Sequence, residues 1–210
     1  MNDTHDTDMR PLERSLRNLD RPDAGAWEGV RRRLSDRAGA EGLVDVSFER
    51  HDSPLGSVLI AATDTGLVRV GLPAEDEDAV LCELAERVSP RVLAGTRDPV
   101  TLARRQLDEY FEGYRHSFDV PLDWQLTRGF RRAVLRATAL IPYGRTASYR
   151  EVATDAGSPG AFRAAGTALA TNPLPIVVPC HRVLRSGGGL GDYRGGSQAK
   201  AQLLSLEGAA

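Results

Sequence analysis

Cysteine is scarce in this sequence, and neither a long apolar run nor a secretory leader stands out in it. Of 210 residues only Cys82 and Cys180 carry thiols. Two cysteines make neither a disulfide framework nor a four-thiolate zinc site. Free thiols suit a reducing, cytoplasmic setting. No stretch reaches the roughly 18 apolar residues of a membrane span, so no membrane partner is expected. The opening "MNDTHDTDMRPLERSL" lacks an apolar signal core. What the sequence does have is charge, 27% of residues, beside 41% hydrophobic content. That suffices for one large domain or two small ones with real cores.

The net charge of −2 conceals an asymmetry. Residues 43–127 hold 8 arginines against 16 acids, whereas residues 128–210 hold 10 arginines and Lys200 against 4 acids. A basic C-terminal half beside an acidic middle fits a protein whose C-terminal half meets a polyanion. Two oppositely charged lobes that attract each other would look the same.

Three regions follow from the pattern. Residues 1–42 form an extension, a tail with a short helix over 22–39 in which Trp27, Val30 and Leu34 share helical spacing. Residues 43–126 form a small α/β domain. "VDVSFERHD", "SVLIAATD" and "LVRVGL" alternate as strands, "EDEDAVLCELAERV" is a helix holding Cys82 as a core cysteine, and "DPVTLARRQLDEYFEG" is a helix with Asp98 as N-cap. "SFDVPLDW" closes the unit as a strand. Residues 127–210 are mostly helical, giving an α+β protein. Their first helix places Phe130, Val134, Ala137 and Ile141 on one face. "ASYREVATDAG" and "AFRAAGTALATN" flank a Ser-Pro-Gly break, a candidate helix-turn-helix. An ordinary helical hairpin is the more common meaning of such a pair. The second helix is rich in Ala and Gly, which lets a bulky partner approach. A Gly-rich segment, "RSGGGLGDYRGGS", leads to a closing helix capped by Ser197 and ending at Gly208.

The candidate chemistry sits in "LPIVVPCHRVL". A thiol attacks as its thiolate. Pro179 implies a helical turn opening at Cys180, with backbone N–H groups, His181 and Arg182 lowering the thiol's pKa. Adjacent residues on a helical turn point about 100° apart, so His181 reaches sulfur through a bridging water. An orienting carboxylate is needed. The C-terminal half offers Glu151, Asp155, Asp192 and Glu207, and spacing does not choose between Asp192 and Glu207.

"PCHRV", preceded by "NPLPIVV" and followed by "GGLGDYRGG", closely resembles the active-site signature of the methylated-DNA–protein-cysteine methyltransferases. The likeness runs from "FRRAVLRATALIPYGRTASYREVA" to "KAQLLSLEG", and more loosely over the preceding domain. It implies an irreversible, single-turnover transfer of an alkyl group from O6-alkylguanine in DNA to Cys180, with O4-alkylthymine as a further substrate. It implies His181 as the water-bridged base, Glu207 as its orienter and Asn172 as the holder of the loop. Tyr149 would crowd the target nucleotide and donate a hydrogen bond to the base. Arg163 would replace the flipped base in the stack. Ala164, Gly166 and Thr167 would face the minor groove. Tyr193, Arg194, Gly195, Val183 and Pro175 would form the pocket. The implied protein is a monomer that binds alkylated double-stranded DNA and uses no cofactor or metal, since Cys82, Cys180, His5, His51, His116 and His181 do not make a zinc site. Phe162, Thr167 and Ala170 depart from residues common in the family, while Arg194 follows Tyr193 as in many bacterial relatives, others having a small hydroxyl there. A damage sensor of this fold that does not transfer would lack the cysteine, and a helix-turn-helix regulator would need a sensing domain larger than residues 1–42. A thiol hydrolase would need a histidine in direct reach of sulfur.

Overall fold

The computed structural model describes residues 24–209. Its first helix, α1 (Ala24–Ala40), overlaps the helix expected over 22–39. Val30 and Leu34 are exposed on it. The Trp27 side chain and residues 1–23 lie outside the described residues.

Strands β1 (Val46–Ser53), β2 (Gly56–Thr63) and β3 (Gly66–Gly71) form an antiparallel meander joined at the two expected turns. A short β4 (Val92–Ala94) adds to β1 in parallel, giving the order β3-β2-β1-β4. Three residues following Ser89-Pro90 carry too little alternation to announce a strand. Alternation along β2 serves both faces of the sheet. Leu59 and Ala61 face a cluster with Val80 and Leu84 of α2 (Glu77–Arg87). Val58, Ile60 and Ala62 face Val100, Ala103, Leu107 and Tyr110 of α3 (Asp98–Phe111).

Several expectations are corrected. Cys82 is exposed, not core, because Val80 and Leu84 take the buried stripe and Cys82 lies on the opposite side of α2. Arg97, not Asp98, holds the N-cap position of α3, without a side-chain cap. "SFDVPLDW" is not a strand. It makes one bridge, Leu67 to Leu122, with Leu67 N–H donating to Pro121 O at 2.7 Å. Pro121 has no N–H with which to extend a ladder. Gly66, at φ +147°, is required there, since a Cβ would lie 2.2 Å from Pro121 O.

The second core face of the sheet continues without a break into the helical half. Helix α4 (Gly129–Ala139) buries Val134, Leu135 and Thr138, while Phe130 and Ala137 are half-buried and Ile141 lies past its end. Helices α5 (Tyr149–Asp155) and α6 (Phe162–Ala170) pack on each other and on α4 as a helix-turn-helix. Ser148 and Glu151 form a capping box that starts α5. β5 (Ala147–Ser148) and β6 (Val183–Leu184) pair in parallel. Helix α7 (Gly196–Leu206) starts from Gly195 rather than from a Ser197 cap. It leaves through left-handed Gly208, φ +65°, as expected.

Candidate active site

The segment 172–183 is a tightly held irregular loop. Asn172 is fully buried and uses its whole amide: Oδ1 accepts from Leu174 N–H at 3.0 Å, and Nδ2 donates to Val178 O at 2.9 Å and to Cys180 Sγ at 3.2 Å. Ile176 sits at φ +73°, unfavourable for a β-branched residue. Strain of this kind persists only where the surroundings over-determine the backbone, and here Ile176 is completely buried. Pro179, at φ −79° and ψ 62°, forms an inverse γ-turn closed by Cys180 N–H donating to Val178 O at 2.8 Å. A 3-10 turn, Cys180–Arg182, follows. The proline thus sets the entry into the turn that aims the thiol.

Glu207, left open against Asp192 by spacing, is the carboxylate that meets His181: Oε1 lies 2.9 Å from Nε2. Asp192 is exposed beside Arg185. Arg182 grips Glu207 with two bonds of 2.8 Å, and the Tyr110 hydroxyl donates to Oε1 at 2.6 Å. Burial alone would raise the Glu207 pKa, but the bonds from His181, Arg182 and Tyr110 outweigh it and hold it down to about 2. A carboxylate that only accepts fixes the proton of His181 on Nε2. Nδ1 is buried and has no hydrogen-bond partner among the described residues, so its lone pair is available. Burial lowers the His181 pKa against the pull of Glu207, leaving a neutral imidazole.

The expectation that Arg182 activates the thiol is corrected, because its guanidinium is spent on Glu207 and on Ile141 O. The Cys180 thiol is not lowered either. Burial pushes it up to about 11, against smaller pulls from the Asn172 hydrogen bond and the Lys200 charge. Cys180 therefore rests as a protonated thiol. Lys200 was missed from sequence. It is the only lysine in the chain, is fully buried, and donates to Val183 O at 2.6 Å. A unique lysine in "SQAKAQLL", among alanines and leucines, was the available signal. Tyr110 was missed because it comes from the other half of the molecule.

The remaining candidates lie on α5, on α6 and on the segments flanking the Cys180 turn. Tyr193 is buried and edge-on to His181, with ring centroids 6.4 Å apart, and its hydroxyl has no partner among the described residues. Val183 and Pro175 are also buried. Arg194 reaches Asn172 O at 3.3 Å. Gly195 packs under Leu72, whose Cδ1 would be 2.9 Å from an added Cβ. The Tyr149 ring lies against Gly166, and its hydroxyl against Gly191. Arg163, Ala164 and Thr167 point outward from α6. Tyr149, Gly166, Arg163 and Phe162 line a depression of ≈ 420 Å³ together with Arg150 and Arg185.

This architecture has close relatives. Residues 129–209 match the family described as 6-O-methylguanine DNA methyltransferase, DNA binding domain. Residues 46–124 match 6-O-methylguanine DNA methyltransferase, ribonuclease-like domain. A methylated-DNA–protein-cysteine methyltransferase of Mycolicibacterium paratuberculosis is 40% identical over 162 residues, covering 77% of this chain and 92% of its own. The inducible protein of that name from Bacillus subtilis is 39% identical over 148 residues, 70% of this chain and 82% of its own. The crystal structure of Mycobacterium tuberculosis OGT in complex with DNA superposes with a TM-score of 0.65 at 36% identity, covering 78% of this chain and 93% of that one. The chain belongs to the methylated-DNA–protein-cysteine methyltransferase family.

Proposed function

We propose that this protein repairs DNA by direct reversal, taking the alkyl group of O6-alkylguanine onto Cys180 and ending its working life in that single transfer. The observation that carries the proposal is the relay behind the thiol: Sγ held by Asn172, and an imidazole beside it whose Nε2 is pinned by Glu207 while Nδ1 stays unpartnered among the described residues.

The reaction is one in-line displacement. Sγ bonds to the alkyl carbon as the bond from that carbon to guanine O6 breaks, and the bonding pair stays on the guanine. The thiol proton passes through a water to His181 Nδ1, and Glu207 stabilises the imidazolium. The guanine takes up one proton from water and the imidazolium returns one, so the net change moves the thiol's proton to the base, while the Tyr149 hydroxyl supplies the hydrogen bond at the leaving base. Burial raises the Tyr149 pKa, which keeps that hydroxyl protonated. Because the resting thiol is neutral, it survives until a substrate brings the reaction to it. The thioether formed is stable, so the alkyl group stays on Cys180.

The substrate atom lies inside a duplex, so the nucleotide must be flipped. Arg163 fills the gap. The small outward residues Ala164 and Thr167 admit a minor groove. The pocket for the flipped base is walled by Tyr193, Val183, Pro175 and the backbone at Arg194 and Gly195. Residues 127–210 carry the chemistry, residues 43–126 brace it with their acidic surface turned from DNA, and the protein works as a cytoplasmic monomer.

The test is intact mass after incubation with excess duplex containing one O6-methylguanine, followed by peptide mapping. One methyl group per protein, on Cys180 and never exceeding one, is the expected result. A bound duplex with no mass change would mean a damage-binding protein instead.

A further inference from the structure

The turn Tyr193-Arg194-Gly195 at the pocket is tethered from the other half of the molecule. Glu75, just after β3, places Oε2 3.0 Å from Arg194 Nε. Glu75 is itself immobilised. Its Oε1 accepts from Leu72 N–H at 2.9 Å, and the Arg69 guanidinium, on a side chain 1% exposed, bonds its carboxylate. With its other arm Arg194 reaches Asn172 O, and Asn172 holds Sγ. Contacts therefore run from Arg69 through Glu75, Arg194 and Asn172 to Cys180. Beside them, Val70 N–H donates to Pro173 O at 2.8 Å, so the strand bearing Arg69 is fixed to the loop bearing the thiol.

While the Tyr193 carbonyl accepts from Gly196 N–H at 2.9 Å, its side chain has no polar restraint among the described residues, the hydroxyl being unpartnered. Its position depends on packing and on the residue that follows it. That residue, Arg194, is half-buried near a second cation, Arg69, which opposes its charge after burial does. Without the Glu75 carboxylate, Arg194 would have no ion pair with the sheet half among the described residues, and on that side only the longer-range charge of Glu83 would oppose that repulsion.

We propose that Glu75 is a specificity-determining residue that acts through Arg194, and that this pair, reaching across the two halves, sets how far Tyr193 stands from Cys180 and so how large an alkyl group the pocket accepts. The proposal rests on Cys180 being the alkyl acceptor. Glu75 is a positioning residue, since it touches neither substrate nor sulfur. On this account the sheet half takes part in choosing substrates as well as in folding.

The experiment compares wild type with Glu75→Gln, Arg194→Gln and the double variant. Glutamine at 75 keeps the acceptor for Leu72 N–H and removes the charge. For each protein the rate constants for transfer from O6-methylguanine and from O6-benzylguanine, in the same duplex, are measured on the active fraction. Their ratio is insensitive to stability. Each single variant should shift the ratio toward benzyl by about 3- to 10-fold, and the double variant should shift it no further than either single one. A ratio unmoved by Glu75→Gln, or two shifts that multiply, overturns the proposal. Should Glu75→Gln not fold, Arg69→Gln combined with Glu75→Gln leaves no Arg69 charge unpaired and is judged by the same ratio. A wild type that transfers neither group would instead remove the alkyl-acceptor reading beneath it.

Discussion

The Tyr110 hydroxyl, from α3 of the sheet half, donates to Glu207 Oε1 at 2.6 Å across 97 residues of sequence. It shares that oxygen with His181. Burial and the nearby Glu207 charge raise the Tyr110 pKa, so it remains a donor throughout the working range. Tyr110→Phe removes one of the bonds that keep Glu207 ionised while preserving the ring packing against Phe111, Phe118 and Tyr143. The expected cost is about 1.5–3 kcal/mol of stability, typical of a hydrogen bond to a charged group. Methyl transfer should slow by less than in Asn172→Ala, which removes the hydrogen bond to Sγ. Denaturant unfolding and single-turnover kinetics on one preparation measure both.

Acid should expose the same carboxylate. The Glu207 pKa lies at about 2 in the fold against an ordinary 4.5. A depressed carboxyl stabilises fully above its unfolded value, and the contribution is lost as pH falls toward the folded one. Stability should therefore drop between about pH 4.5 and pH 2. Glu207→Gln alone strands the buried Arg182, a loss of about 3–5 kcal/mol. Arg182→Met with Glu207→Gln removes both charges and is the fair comparison. Its unfolding free energy should be flatter across that window than wild type's, and an equally steep fall would assign the acid sensitivity elsewhere.

Much of this was legible beforehand because strand alternation and turn residues are local signals. Two turns and three strands appear where Gly56, Gly66 and the apolar alternation put them. The cluster around Cys180 was legible for a different reason, a long motif matching a known family. Apart from the helix caps at Asp98 and Ser197, the misses share a cause: they depend on contacts between distant segments. Arg182 reads as a neighbour of sulfur, yet a carboxylate 25 residues away claims it. Cys82 reads as core within an apolar stretch, and only the facing sheet decides which stripe of α2 is buried. The thiol's raised pKa follows from its depth in the fold, which adjacency to His181 does not reveal.

The two cysteines should separate by reagent. Cys82 is exposed, while Cys180 is buried with its thiol pushed up to about 11. Iodoacetamide needs an accessible thiolate, so at neutral pH it should label Cys82 and spare Cys180. O6-methylguanine duplex should do the reverse. Peptide mapping after each treatment shows the pattern, and rapid carbamidomethylation of Cys180 would contradict a protonated resting thiol. Stability carries the corresponding alkaline sign. A raised acid pKa favours the fold below the unfolded value and loses that contribution as pH rises toward about 11. Methylated protein, which has no proton to lose at this sulfur, should lack that part of the decline.

Phe162 is bracketed by two cations: the Arg150 guanidinium lies 5.1 Å and that of Arg163 5.7 Å from its ring centroid. Each cation–π contact at an exposed site contributes about 0.5–1 kcal/mol. Arg163 is the residue proposed to enter the stack, so the ring pre-positions the side chain that must fill the gap. Phe162→Ala should slow transfer from duplex by about 2- to 5-fold, the loss of one such contact at Arg163. It should leave transfer from free O6-benzylguanine at the wild-type rate, because a free base needs no flipping. If both substrates slow equally, Phe162 supports the fold of α6 and not the arginine. If neither slows, Arg163 is positioned by the DNA on arrival, and the bulky ring is tolerated there without being used.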